Sequence, residues 1–137
     1  LDLALETEAD GLHVGQEDLP VSVARKLLPI DKIVGCSTTT VELALAAQAE
    51  GADYIAVGSM YPTSSKETAQ VVGLERLRQV RRAVSVPLVA IGGITKDNAA
   101  EVVAAGADAV AVISAVLAAD SPEAAAREIV RRIEAQK

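Results

Sequence analysis

The residues in this chain best suited to chemistry are clustered hydroxyls, a lysine, an isolated acid and paired glycines. Thr63-Ser64-Ser65-Lys66 sets three hydroxyls beside one ammonium. That composition suits phosphate or diphosphate oxygens, with the hydroxyls orienting and Lys66 supplying charge. It equally suits a solvated loop, although the stretch from Ser59 to Gly73 is long for a connection, and long loops often act as lids or binding loops. Gly92-Gly93 and Ile113-Ser114 each follow an apolar run, where a backbone can approach an anion beside a helix N-terminus. The same glycines would also serve a tight strand-to-helix turn. Asp18 is a candidate Mg2+ ligand, since that ion takes one or two carboxylates plus substrate phosphates. Asp18-Leu19-Pro20 reads as a helix N-cap too.

Other chemistries find little support. His13 is the only histidine, which excludes His-clustered zinc sites, and it reads as a hydrogen-bonded strand residue. There is no G-x-S-x-G elbow for a serine nucleophile. Cys36 reads as a small buried residue, and Lys66 lies in too polar a stretch for a Schiff base. Arg76, Arg78, Arg81 and Arg82 read as a solvated helix face. The balance of 13 basic against 19 acidic residues gives a net charge of −6, and without basic clusters nucleic acid is not an expected partner. No apolar run approaches membrane-spanning length, and the first residues carry no basic leader. A lone cysteine fits a reducing, cytoplasmic setting.

The elements that must position these residues announce themselves by repetition. Ala9-Asp10-Gly11-Leu12-His13-Val14-Gly15 resembles Gly51-Ala52-Asp53-Tyr54-Ile55-Ala56-Val57-Gly58, and again Gly106-Ala107-Asp108-Ala109-Val110-Ala111-Val112-Ile113-Ser114. Each copy reads as a helix end, a short apolar strand and a small residue. Two further strands lie at Lys32 to Ser37 and Val86 to Gly93. Near-continuous apolar strands predict a parallel sheet buried on both faces. Helical patterns run over Leu1 to Glu8, Val21 to Leu28, Thr40 to Glu50, Leu74 to Val84, Asn98 to Ala105 and Pro122 to Ala135, the last with Ser121 as N-cap. Strict alternation gives an α/β fold, and the regular two-unit repeat with small residues at every strand end favours a (β/α)8 barrel, the TIM barrel. At about 25 residues per unit, the chain holds about five C-terminal β/α units in one partial domain, with about three N-terminal strands outside it.

Gly11-Leu12-His13-Val14-Gly15-Gln16-Glu17-Asp18, Gly35-Cys36-Ser37-Thr38, Pro62-Thr63-Ser64-Ser65-Lys66, Val89-Ala90-Ile91-Gly92-Gly93-Ile94 and Ala111-Val112-Ile113-Ser114 occur in this order. As a set they resemble the thiamine-phosphate synthase family, a (β/α)8 barrel. The resemblance implies that a pyrimidine methyl diphosphate is joined to a thiazole phosphate, with Mg2+ assisting the loss of diphosphate. It implies Asp18 as a Mg2+ ligand, Ser37 against the pyrimidine, and Lys66 at the departing diphosphate. Thr63, Ser64, Ser65, Gly93, Ile113 and Ser114 would hold the thiazole phosphate. The family usually has Thr-x-Thr-Lys where this chain has Thr63-Ser64-Ser65-Lys66. A Gln-x-Arg-x-Lys segment and an Asn-Asp pair, carriers of further diphosphate and Mg2+ contacts, are not in this sequence. Two other readings accompany this one: a thiazole tautomerase on the same barrel, and a truncated, non-enzymatic scaffold. Open sheet edges in a partial barrel lead to an expectation of self-association.

Overall fold

The computed structural model describes residues 1–63 and 70–136. Its elements alternate as the composition requires: α1 (Asp2–Glu6), β1 (Gly11–Val14), α2 (Val21–Leu27), β2 (Ile33–Thr38), α3 (Val41–Ala49) and β3 (Tyr54–Gly58). Then follow α4 (Gly73–Ala83), β4 (Leu88–Ile91), α5 (Ala99–Ala104), β5 (Ala109–Ala111), α6 (Ser114–Leu117) and α7 (Pro122–Glu134). Ser121 caps α7 by accepting the Ala124 N–H at 3.4 Å, with Pro122 in the first turn. The four-residue α6 directly after Ile113 carries no strong helical signal in the sequence and was not expected.

All strand pairs are parallel and the sheet order is β1-β2-β3-β4-β5. A doubly wound sheet reverses its strand order at a switch point, whereas a (β/α) barrel runs in sequence order, so the order observed is of the barrel kind. One face of the sheet carries the core. Val14, Val34, Cys36, Ile55, Val57, Leu88 and Ala90 alternate onto it and meet Ala24, Ala44, Leu77, Val80 and Val102 from the helices. The other face carries His13, Gly35, Ser37, Tyr54, Ala56, Gly58, Val89, Ile91, Ala109 and Ala111, as the strand register requires. Among the described residues this second face is only partly buried: Gly35 and Ala56 are buried, but His13 and Ala109 are exposed and Ile91 is at 38% exposure. The expectation of burial on both faces is therefore corrected: apolar but mostly small side chains occupy a face that no described helix covers.

The repeated sequence turns out to be a device at the strands' N-terminal rim. After α3, the Gly51 N–H donates to Gln48 O and the Ala52 N–H to Ala47 O, while Gly51 takes a φ of 97°. After α5, Gly106 donates to Val103 O and Ala107 to Val102 O, with φ 113° at Gly106. Both are Schellman ends, whose left-handed position favours glycine. The aspartates then fasten neighbouring strands. Asp53 Oδ2 accepts the Val34 N–H at 2.7 Å and an Arg25 guanidinium hydrogen bond. Asp108 Oδ2 accepts the Leu88 N–H at 2.8 Å and pairs with Arg81 at 3.0 Å. Arg25 also donates to Gly51 O and Lys32 O, and Arg81 to Val84 O and Val86 O. Arg81 is thus no part of a solvated basic face; it is turned down onto the sheet rim, and its stem packs against Gly106.

In the first copy α1 ends the same way, with Glu8 donating to Leu5 O and Ala9 to Ala4 O, but the left-handed position holds Glu8 at φ 52°. A left-handed conformation costs an ordinary L-residue about 1–2 kcal/mol, partly offset by the larger unfolded-state entropy of glycine. Glu8→Gly should therefore raise stability by about 0.5–1 kcal/mol, read as a higher urea midpoint at unchanged slope. Asp53→Ala or Asp108→Ala leaves a strand N–H and an arginine without their acceptor. Each should lower stability by about 1–2 kcal/mol in the same measurement.

Candidate active site

The opposite rim, where the strands end, gathers the chemistry. A concavity of about 1060 Å³ is lined there by segments following every strand. Asp18, Ser37, Thr63, Gly93, Ile113 and Ser114 all line it, so residues spread from the first strand to the last converge. Ser64, Ser65 and Lys66 lie outside the described residues.

After β1 the chain folds back tightly, and the Gly15 N–H donates to Asp18 Oδ2 at 2.7 Å. The N-cap position of α2 is Pro20, without a side-chain bond. Asp18 accordingly closes its own turn and does not cap the helix. Its carboxylate lines the cavity with Glu17 beside it. No group of three or more acidic, histidine or cysteine side chains suited to a metal occurs among the described residues. A single carboxylate fits Mg2+ only where phosphate oxygens complete the shell, the usual arrangement for that ion on phosphorylated substrates. Gln16 was not anticipated by sequence reasoning. Its amide donates to Ser37 O at 2.7 Å, tying the first loop to the end of β2.

Ser37 projects from β2, and its Oγ lies 2.8 Å from His13 Nε2. His13 Nδ1 lies 2.8 Å from the Tyr54 hydroxyl. Partial burial lowers the His13 pKa below 6.5, with the nearby Asp18 charge opposing. Burial likewise pushes up the Tyr54 phenol and the Cys36 thiol. Cys36 is 4% exposed on the core face, as expected of a packing residue.

The glycine pair follows β4 with φ 98° at Gly92 and 65° at Gly93. A Cβ at Gly93 would stand 2.6 Å from Pro62 O, so the turn after β4 packs against the loop after β3. Gly92 O accepts the Tyr61 N–H at 3.0 Å, and the Ser59 hydroxyl donates to Tyr61 O at 2.7 Å. Asn98 braces the same turn, donating to Gly93 O at 3.1 Å and accepting the Thr95 N–H at 2.8 Å. Tyr61 donates to Glu101, and burial together with that bond pushes its pKa up to about 12. The close-packing role of the glycines is thus real, and it leaves their backbone on the cavity wall. Ile113 and Ser114 complete the wall from the start of α6. Asn98 and Gln16 escaped the sequence reading because their task is to hold backbone carbonyls, which no motif spells out.

The family pattern of thiamine monophosphate synthase matches residues 1–116. The chain belongs to that family. It is 57% identical over 130 residues to a thiamine-phosphate synthase of Moorella thermoacetica, covering 94% of this chain and 62% of that protein. It is 53% identical over 137 residues to a thiamine-phosphate synthase of Natronomonas pharaonis, covering 98% and 64% respectively. The solved thiamine phosphate pyrophosphorylase of Pyrococcus furiosus superposes with a TM-score of 0.90 at 45% identity, over 98% of this chain and 64% of that one. The chain therefore spans under two thirds of the length of these family members. Within the span shared with them lie the carboxylate after β1, the hydroxyl of β2 and the glycine turn after β4.

A neutral His13 has consequences for acid stability. Its folded pKa is depressed, so near pH 6 the unfolded chain binds more protons and stability rises with pH. Acidification from pH 7 to well below 6.5 should therefore remove stability in the wild type, and less of it in His13→Gln. The His13 Cε1–H resonance should titrate with a midpoint below 6.5.

Proposed function

We propose that this chain carries the thiazole-phosphate side and part of the pyrimidine-diphosphate side of a thiamine-phosphate synthase. The reaction couples 4-amino-2-methyl-5-(diphosphomethyl)pyrimidine to thiazole phosphate and releases diphosphate. The observation that carries this reading is the convergence of Asp18, Ser37, Thr63, Gly93, Ile113 and Ser114 on one cavity in a chain of this family.

In this reading the C–O bond at the pyrimidine methylene breaks, its electron pair leaves with diphosphate, and the thiazole nitrogen supplies the pair for the new C–N bond. Such a substitution needs no nucleophile or base from the protein. It needs the charge on the leaving group neutralised and two reactants held in line. Asp18 would hold Mg2+, which when bound supplies positive charge to the diphosphate oxygens. Lys66 would add a second positive charge to the same group. Ser37 would hydrogen-bond the pyrimidine, whose electron-rich ring spreads the developing cation. Thr63, Ser64 and Ser65 would bind the thiazole phosphate with the backbone at Gly93, Ile113 and Ser114. A cytoplasmic setting suits phosphorylated substrates and an unpaired, buried Cys36; no described helix is long and apolar enough to cross a membrane.

β1 and β5 present unpaired edges in the described sheet, and a further segment or a second copy would complete the barrel. Self-association is the expectation for the chain alone. The test is incubation with both substrates and Mg2+, followed by oxidation of thiamine phosphate to fluorescent thiochrome, with light scattering on the same sample. Lys66→Ala and Asp18→Asn should each lower the rate by about 100-fold or more, as removal of a leaving-group charge does. Full activity in both variants, or isomerisation of the thiazole without coupling, would overturn the assignment.

A further inference from the structure

Ser37 lines the cavity, and His13 and Tyr54 lie on the same face of the sheet, one step nearer the strands' N-terminal ends. His13 and Tyr54 do not line the cavity. They belong to one row across three strands, in which His13 registers with Gly35 and Gly35 with Tyr54. The glycine in the middle is what makes the row work. A Cβ at Gly35 would overlap the Tyr54 ring, so its absence lets the ring lie across β2 toward β1. The two ring centroids come within 5.5 Å and the phenol reaches Nδ1. The other imidazole nitrogen, Nε2, then faces Ser37 Oγ.

An imidazole that bonds at both nitrogens while neutral can donate from only one. A phenol is a better donor and a poorer acceptor than an aliphatic hydroxyl, being the stronger acid. Were Nδ1 the protonated atom, the Tyr54 proton would have no acceptor among the described residues. With Nε2 protonated, Tyr54 and both imidazole nitrogens are satisfied, and the proton left over is that of Ser37, which lines the cavity. Partial burial lowers the imidazole pKa and so favours the neutral ring, in which this choice has to be made.

We propose that Tyr54 and His13 are positioning residues that set the polarity of the Ser37 hydroxyl. Tyr54 O–H donates to His13 Nδ1, and His13 Nε2–H donates to Ser37 Oγ. The Ser37 proton is thereby turned away from the strand and offered to an acceptor atom in the cavity. Ser37 then recognises a lone pair, such as a ring nitrogen of a heteroaromatic ligand, and rejects an N–H at that position. The identity of the ligand as the pyrimidine rests on the coupling reading; the polarity of the row does not.

Because His13 is the only histidine of the chain, its tautomer can be read without resonance assignment. Long-range proton–nitrogen correlations at pH 8 in uniformly nitrogen-15-labelled protein should show protonated Nε2 and bare Nδ1. Tyr54→Phe should move the Nδ1 shift toward that of a tautomer mixture. A dominant Nδ1–H form, or an unchanged Nδ1 in Tyr54→Phe, would overturn the relay. Kinetics give a second test, because a glutamine amide nitrogen can occupy the place of imidazole Nε2 and still donate. His13→Ala should lower kcat by about ten-fold with KM for thiazole phosphate unmoved, while His13→Gln stays within about three-fold of wild type. Equal losses in the two variants, with both KM values raised, would mean a merely structural histidine and overturn the relay. No product from the wild-type chain would instead overturn the coupling reading, and the tautomer, read without substrate, would still decide the relay.

Discussion

Because β1 to β5 pair in parallel with their sequence neighbours, all five strands must finish at the same rim, and every connection leaving that rim is brought to one place. Nothing else in the molecule could assemble Asp18, Ser37, Gly93 and Ser114, which belong to separate strand–helix units. The backbone ladder therefore does the work of a catalytic scaffold. It fixes the spacing of the strand ends, and the side chains at those ends need only the right type. Short elements suffice for this, since even the three-residue β5 delivers Ile113 and Ser114 to the cavity wall.

The two rims divide stability from chemistry. At the N-terminal rim, Asp53 and Asp108 each join a neighbouring strand to an arginine of an earlier helix, and the Schellman glycines set the angle at which the chain enters the strand. These carboxylates are committed to donors within the fold and cannot serve a ligand. At the C-terminal rim, the bonds instead hold loops in shape: Asp18 to Gly15, Gln16 to Ser37 and Asn98 to Gly93. Backbone groups and hydroxyls are left facing the cavity. Similar residue types thus have opposite uses at the two ends, as barrels of this kind require.

That division also explains which features were legible in the sequence. The strand and helix order was readable because Ala-Asp recurs just ahead of β1, β3 and β5, twice with a glycine before it, and five apolar runs alternate with helical stripes. Most of the residues found lining the cavity were readable because small or hydroxylic residues after an apolar run have little structural reason to be there. Arg81 was misread as solvated because a helix stripe says which way a residue points but not how far a long side chain reaches back. Glu8 was left out of the repeat because it stands where the other copies have glycine, a substitution that local pattern treats as a break. Tyr54 was invisible as a partner of His13, since their closeness depends on Gly35 lying between them across strands.

The cavity's chemistry follows from what its wall offers. It presents hydroxyls, glycine backbone and the acids of a single loop, with the one histidine beside Ser37 and its pKa lowered by partial burial. Among the described residues the imidazole beside a cavity-facing hydroxyl is His13, and in the proposed polarity its Nε2–H donates to Ser37 Oγ, so it takes no proton from that hydroxyl. The wall can bind anions and orient a hydroxyl. Substitutions whose difficulty lies in the departure of a charged group ask for this combination, since the barrier falls when the leaving charge is met by fixed dipoles and cations already in place. On the proposed coupling reading a lowered His13 pKa would serve the same end: a positively charged ring beside Ser37 would oppose a developing cation at the pyrimidine, whereas a neutral ring with its N–H directed at Oγ would polarise the hydroxyl and add no net charge.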